Sequence, residues 1–358
     1  MIFAATGHAL EYRPTFPPDY RPGVALVGCG DIATSWHLPA YAKYGVQVVG
    51  VYDPAPEATA GVLDRFPFVR RVFGSLDELL AADEVEIVDL ATRPDVRTQL
   101  ILRAIEAGKH VLAQKPLAPD LRAACEVTEA AERRGVRLAV NQNGRWSPPW
   151  RIATLLIEQG AIGDVTAITH LHDKPLPPLV GTHFDELAHF VIYDYSVHWI
   201  DISRCWLDGE PVEAVRALDY RAPDQPSEAR SPWAAWIEIH YENGASALIR
   251  SVGPARTKRP SCPFWVHGTE GTIRGSVLLD SDFVELDRNG VSSRYPFEGA
   301  WYPDGFAGAL GELISAIDEE REPFNSARHN LLTLAMTFAA CRSAEQGGSP
   351  VSLDEITA

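Results

Sequence analysis

Three groups of residues in this chain have types and spacings that could do chemistry. The first is the run Gly28-Cys29-Gly30-Asp31-Ile32-Ala33, with Asp53 placed 25 residues after Gly28. In a G-x-G-x-x-A turn the first glycine permits a sharp bend. The second lets the backbone approach a pyrophosphate, and the alanine lets the following helix sit close on its strand. Asp31 and Ile32 would then open that helix, whose unpaired N–H groups face the phosphates. Asp53 could accept hydrogen bonds from a ribose diol. Its charge would repel a 2′-phosphate, and Pro54 follows it with no Arg or Lys close by. NAD is therefore expected in preference to NADP.

The second group is Gln114-Lys115-Pro116. Pro116 holds Lys115 away from helical geometry, so the lysine would present an ammonium near the cofactor edge, with the bond expected trans on frequency alone. The third is Asp194-x-x-x-His198 within Glu186–Leu207, which reads as one long helix. Val191, Tyr195, Trp199, Ile202 and Trp206 recur at helical spacing and form the core stripe. Asp194, His198 and Asp201 form a second stripe roughly 60° away at about 100° per residue. A carboxylate beside an imidazole can fix its tautomer and suit it to general acid/base work.

The elements that must position these groups follow from periodicity. Val24–Val27 and Val46–Tyr52 are apolar strands flanking a helix over Ile32–Tyr44, and Pro56–Phe66 reads as the next helix. Ser75 and Glu78 have capping-box spacing before Leu76–Ala81. Val85–Ala91, Pro94–Ala107, His110–Ala113, Pro119–Arg134 and Val136–Val140 continue the alternation, with the lysine-proline pair ending a fifth strand and Val136–Val140 as a sixth. Repeated βα units imply a doubly wound parallel sheet of the Rossmann type. Ligands on such sheets bind beyond the strand carboxyl ends, which brings in Thr92, Gln114, Asn141 and Asn143 as cofactor contacts.

After residue 145 the character changes. Ser147-Pro148-Pro149 reads as a hinge and Trp150–Gln159 as a helix. Strands then follow at Val165–His170, Val212–Asp219, Trp233–Tyr241, Ser246–Val252, Phe264–His267, Thr272–Gly275 and Phe283–Leu286, with a hairpin signal at Asn243-Gly244. Helices at Phe306–Glu319 and Ala327–Glu345 close the chain. The expectation is α/β overall: an arm over 1–22, a nucleotide-binding domain over 23–145, and an α+β domain over 146–358. That last domain carries a large, mostly antiparallel open sheet, one face of which could serve a homodimer or homotetramer.

Composition excludes several classes. With 358 residues, a net charge of −16 and no basic run, nucleic acid and anionic membrane are poor partners. No apolar run reaches transmembrane length, and no secretory leader is evident. Five scattered cysteines without a C-x-x-C pair suit buried thiols in a reducing cytoplasm. His170, His172, Asp173, His183, Asp185, Glu186 and His189 are dense in groups that bind metal. A polar substrate pocket is the preferred reading of them, and no metal is expected. Among the aromatic residues, Trp146 and then Trp301 are the first choices for stacking on a sugar ring.

Together, GCGDIA, Asp53, the lysine-proline dipeptide and the D-x-x-x-H helix resemble the Gfo/Idh/MocA oxidoreductases, from about residue 23 to the C-terminus. Val266–Arg274 resembles the second-domain sheet of that family. The resemblance implies hydride transfer between NAD and a hydroxyl-bearing carbon of a sugar, sugar acid or cyclitol. It implies that Lys115 hydrogen-bonds the reacting oxygen, that His198 accepts the proton, and that Asp194 orients substrate and lysine. Three departures stand out: Gln114 replaces the usual glutamate, Arg97 the usual histidine, and Val191-Ile192-Tyr193 the usual glycines. A ligand-sensing protein that holds NAD without turnover, and a redox-neutral enzyme with tightly held NAD, remain alternatives on the same scaffold.

Overall fold

The computed structural model describes residues 2–3, 9–223 and 225–356. Two compact units are present. One is Arg13–Trp146 with Trp301–Leu331; the other is Ser147–Ala300 with the stretch from Leu332 onward and the first residues up to Tyr12. The two-residue strands β1 (Ile2–Phe3) and β2 (Ala9–Leu10) pair antiparallel.

The first unit is built on β3 (Val24–Val27), whose four residues are all buried. A π-helical turn over Ala33–His37 leads into α1 (Leu38–Tyr44), followed by β4 (Val48–Tyr52). The helix expected over Pro56–Phe66 is instead two single turns, α2 (Pro56–Thr59) and α3 (Val62–Arg65). They part at Gly61, whose φ of +73° no right-handed helix accommodates. Ser75 caps α4 (Leu76–Ala81) by accepting from Glu78 N. The Glu78 carboxylate accepts from Gly74 N rather than closing the box on Ser75. Strands β5 (Ile87–Leu90), β6 (His110–Gln114) and β7 (Leu138–Asn141) alternate with α5 (Pro94–Glu106) and α6 (Leu121–Arg134). Leu121, not Pro119, begins α6, which Asp120 caps with its side chain accepting from Ala123 N. The sheet is wholly parallel in the order β4-β3-β5-β6-β7. It has five strands, so Lys115 follows the fourth strand and β7 is the fifth, one fewer than expected.

In the second unit, Ser147 and its two prolines form the start of α7 (Pro148–Glu158) rather than a hinge, since proline suits a first helical turn where its missing N–H costs nothing. Then come β8 (Val165–His172), α8 (Val197–Trp206), β9 (Val212–Tyr220), β10 (Ala234–Tyr241), β11 (Ser246–Val252), β12 (Pro263–Gly268), β13 (Gly271–Ser276), β14 (Val284–Arg288) and β15 (Val291–Arg294). The last strand was not expected. Their sheet runs β15-β14-β13-β12-β8-β11-β10-β9, and every pair but β11 with β8 is antiparallel. Asn243-Gly244 turns β10 into β11 as its sequence predicts, with Asn243 Oδ1 accepting from Ala245 N.

Helix α9 (Trp301–Asp318) belongs to the first unit, although the sequence division at 145 places it with the second. Phe306, Leu310, Leu313 and Ile314 join Val24, Leu26, Tyr41, Val48 and Ile87 in one buried apolar cluster. Each such side chain contributes about 1.5–3 kcal/mol when fully buried, which offsets the ordering of a segment so distant in sequence. The division between units falls within α10 (Ala327–Glu345).

Candidate active site

The glycine turn has the geometry a pyrophosphate requires. Gly28 has φ +93°, and a Cβ there would stand 2.8 Å from Ala91 O, so only glycine fits. Gly30 is exposed, and a Cβ there would meet nothing within 4 Å. That open approach to bare backbone, at the start of a helix, is what a phosphate group needs. Ala33 is fully buried against the strand, Ile32 is half-buried, and exposed Asp31 accepts from Ser35 Oγ at 2.9 Å. Asp53 closes the far side: Oδ2 accepts from Cys29 N at 2.8 Å and Oδ1 from Ala55 N at 2.9 Å. Each oxygen retains a second lone pair for a hydroxyl. Burial and the Asp53 charge push the Cys29 thiol up to about 12, so it is no nucleophile. Thr92 Oγ1, at the carboxyl end of β5, is buried and makes no hydrogen bond. Such an atom wants a polar partner. These residues fit a nicotinamide dinucleotide.

Lys115 follows β6, and its bond to Pro116 is cis, where trans was expected. The segment is held from two directions. Arg97, expected only as a departure from the family pattern, is buried; its guanidinium donates to the carbonyls of Thr92, Gln114 and Pro116, so it bridges the ends of β5 and β6. Gln114 Oε1 accepts from Lys115 N at 2.8 Å, and Gln114 Nε2 stands 3.2 Å from His37 Nε2. The amide of Gln114 is thereby turned inward. His37 and Asp89 are both fully buried, with Nδ1 and Oδ2 separated by 2.7 Å, and Tyr41 Oη donates to the same oxygen at 2.6 Å. Burial and the neighbouring Asp89 charge raise the Tyr41 phenol well above its ordinary value. Asn143 is also buried: Oδ1 accepts from Trp301 Nε1 at 2.6 Å. Trp301 and Trp146, expected as sugar-stacking rings, are buried in this unit, Trp146 packing where Gly308 lacks a side chain. Sequence reasoning passed over Gln142, which is buried after β7 with neither amide atom hydrogen-bonded.

In the second unit the expected single helix over Glu186–Leu207 is broken. A 3-10 turn covers His183–Glu186, a π-helical turn Val191–Tyr195, and α8 begins at Val197. Ser196 N donates to Val191 O at 2.8 Å, a bond five residues back. The turn interrupts the single α-helix expected over this stretch, and π-turns of this kind recur at functional sites. Tyr195 Oη lies 2.5 Å from His172 Nε2 and the ring stacks on Trp199. Val191, Trp199, Ile202 and Trp206 are buried as the apolar stripe predicts. His198 is 8% exposed. Asp201 faces α10, accepting from Thr333 Oγ1 at 2.8 Å, and so has a structural task.

The remaining polar residues disperse. His183 is exposed against the Phe184 ring; buried Asp185 accepts from Arg230 N at 2.9 Å; His189 pairs with Asp219. His170 sits among Trp150, Trp206 and Phe264, and burial pushes it down to about 3. Among the described residues no group of three His, Cys, Asp or Glu is placed to hold a metal ion.

A parallel sheet with an open glycine turn and an acid on the next strand defines a dinucleotide-binding protein. The chain belongs to the Gfo/Idh/MocA oxidoreductases: residues 23–142 match the family's NAD-binding Rossmann domain, and residues 150–274 match its C-terminal domain. Over 328 residues the chain is 29% identical to the 1,5-anhydro-D-fructose reductase of Ensifer adhaerens, covering 90% of this chain and 96% of that one. It is 27% identical to the D-apiose dehydrogenase of Paraburkholderia graminis, over 90% of this chain and 88% of that one. An oxidoreductase from Agrobacterium radiobacter, solved with NAD+, L-tartaric acid and magnesium, superposes with a TM-score of 0.83 at 23% identity, covering 94% of this chain and all of that one. Among the described residues no helix is long and apolar enough to cross a membrane.

Proposed function

We propose that this protein transfers a hydride between NAD and a hydroxyl-bearing carbon of a sugar, sugar acid or cyclitol. The observation that carries the reading is the open backbone at Gly30 with Asp53 bonded to the adjoining Cys29 N, and a lysine whose main-chain N–H is held by Gln114 at the end of β6 of the same sheet. NAD would be held by Gly28, Gly30, Asp31, Ile32, Asp53 and Thr92, and when bound it supplies the hydride acceptor. Lys115 would donate to the reacting oxygen and stabilise charge developing on it. His198 would accept the hydroxyl proton, with Asp194 orienting the substrate. Gln114 and Asn143 engage protein groups through their amides and would support the site rather than touch the cofactor.

The five cysteines are buried or half-buried and no disulfide joins them among the described residues, which supports a reducing compartment. The outward face of the second sheet carries Trp236, Leu248 and Trp265, which supports association of two copies through that face.

The test is NAD(H) binding, followed by absorbance at the reduced-nicotinamide band against a panel of polyols and sugars. A rise with one compound, abolished in Lys115→Met and in His198→Ala while NAD still binds, is the expected outcome. Unchanged turnover in both variants overturns the assignment, and binding without turnover of any compound favours a sensor.

A further inference from the structure

Resting on the reading of Lys115 above, we propose that Asp89, His37 and Gln114 form a buried positioning relay that fixes the main chain at Lys115. The hydrogens in it can be assigned in one way only. A backbone N–H can only donate, so the Gln114 atom 2.8 Å from Lys115 N is its carbonyl oxygen. The Gln114 amide nitrogen therefore points at His37, 3.2 Å from Nε2. An amide NH2 has no lone pair to offer, so His37 Nε2 accepts. Asn141 Nδ2 approaches the same atom at 3.4 Å. The single ring proton then lies on Nδ1, directed at Asp89 Oδ2 2.7 Å away.

Among the described residues, five other elements bring groups against the ring. Asp89 comes from β5, Tyr41 from α1, Gln114 from β6 and Asn141 from β7, and the Phe306 ring of α9 closes the remaining side at 4.8 Å. Asp89 is the acid of this group. It accepts from both His37 and Tyr41, bonds that are strengthened by its charge. Asp89 Oδ1 has no hydrogen-bond partner, so the two bonds at Oδ2 hold the network. Buried bonds of this kind rigidify what they touch, and what they touch at the far end is the amide of the residue that must place an ammonium against the reacting oxygen. Such placement matters steeply, because a displacement of about 1 Å can cost about a hundredfold in rate.

The relay also accounts for glutamine at 114. A glutamate there would set a carboxylate oxygen against the lone pair of His37 Nε2. The contact would become attractive only with a proton between them, either added to the pair or drawn from Nδ1 at the expense of the bond to Asp89. Gln114 and the His37–Asp89 pair thus specify one another. Gln114 is a positioning residue, and its amide is not a ribose ligand.

Gln114→Glu tests this with a readout that a purely structural role does not give. In the variant, kcat for the polyol should fall about tenfold or more, with KM for NAD nearly unchanged. Long-range 15N–1H spectra of the full chain should show the His37 ring protonated on Nδ1 alone in the unsubstituted protein, and a proton between Nε2 and the new carboxyl group in the variant. A variant with kcat unchanged, a rise in KM for NAD with kcat intact, or a His37 proton on Nε2 in the unsubstituted protein would each overturn the relay. The spectra need no substrate. If no polyol is turned over, the reading of Lys115 falls while the His37 tautomer still decides the relay.

Discussion

Tyr195 Oη and His172 Nε2 lie 2.5 Å apart, joining the π-helical turn that carries Asp194 to the last residue of β8. Burial pushes His172 down to about 4, so the ring is neutral near pH 7 and Nε2 accepts the phenolic proton. Tyr195→Phe keeps the stacking surface on Trp199 but leaves that buried acceptor without its donor. The expected loss is about 1–3 kcal/mol of stability, read as a lower urea midpoint at unchanged slope. A midpoint shift equivalent to less than about 0.5 kcal/mol would mean that the bond does not hold the turn.

His170 offers a sharper test, because neither ring nitrogen has a hydrogen-bond partner. Burial among aromatic rings lowers it from 6.5 to about 3. A lowered folded value means that the unfolded chain binds the proton more readily between those limits. The stability it permits is therefore full above about pH 6.5 and lost as the pH falls toward 3. His172 adds to the same slope down to about 4. His170→Phe should keep the packing, flatten the decline in stability below pH 6.5, and leave the value at pH 7 equal or higher. Denaturant titrations at several pH values between 7 and 4 measure this, and an undiminished acid slope would refute the assignment.

His189 should act in the opposite sense. The hydrogen bond from Nδ1 to Asp219 Oδ2 at 2.9 Å is the main cause that raises its value, with Glu345 Oε1 3.5 Å from Nε2 adding to it. A raised folded value gives stability that is complete below the unfolded value of 6.5 and lost as the pH rises through the folded one. Replacing His189 with Gln should cost stability at pH 6 and little at pH 9. The ring is partly exposed and the effect should weaken with added salt.

The parts of this molecule legible in its sequence are those set by near neighbours. Val24–Val27 announces a doubly buried strand, Ser75 its cap and Asn243-Gly244 its turn, because each depends on residues within a few positions. The interrupted Pro56–Phe66 helix was readable too, since Gly61 sits in its middle. The break at Val191–Tyr195 was not. The apolar spacing there fits one straight helix, and the π-turn shows itself only in the bond from Ser196 N to Val191 O. The site divides in the same way. Gly28, Gly30 and Asp53 follow from a local motif, whereas His37 and Asp89 are 52 positions apart and meet only through strand order. Trp301 looked available for a sugar because nothing in the sequence near residue 301 indicates that its indole would reach Asn143, 158 positions earlier.

The proposed preference for NAD rests on Asp53, whose two oxygens accept from Cys29 N and Ala55 N and are fixed at the end of β4. A carboxylate held there can receive a ribose diol, and its charge opposes a 2′-phosphate. The residues that follow, Pro54, Ala55, Pro56 and Glu57, bring no cation to relieve that opposition. The unsubstituted protein should therefore use NAD at a kcat/KM well above that for NADP. In Asp53→Ser the hydroxyl still accepts a hydrogen bond while the charge is gone, so the preference should narrow by about tenfold or more, the equivalent of about 1.4 kcal/mol. Most of the change should come from improved NADP, with some loss for NAD as the turn at Cys29 loosens. Comparing kcat/KM for both cofactors in both proteins decides it. A preference unchanged by the substitution would show that the ribose lies elsewhere, and the roles given to Gly28 and Gly30 would fall with it.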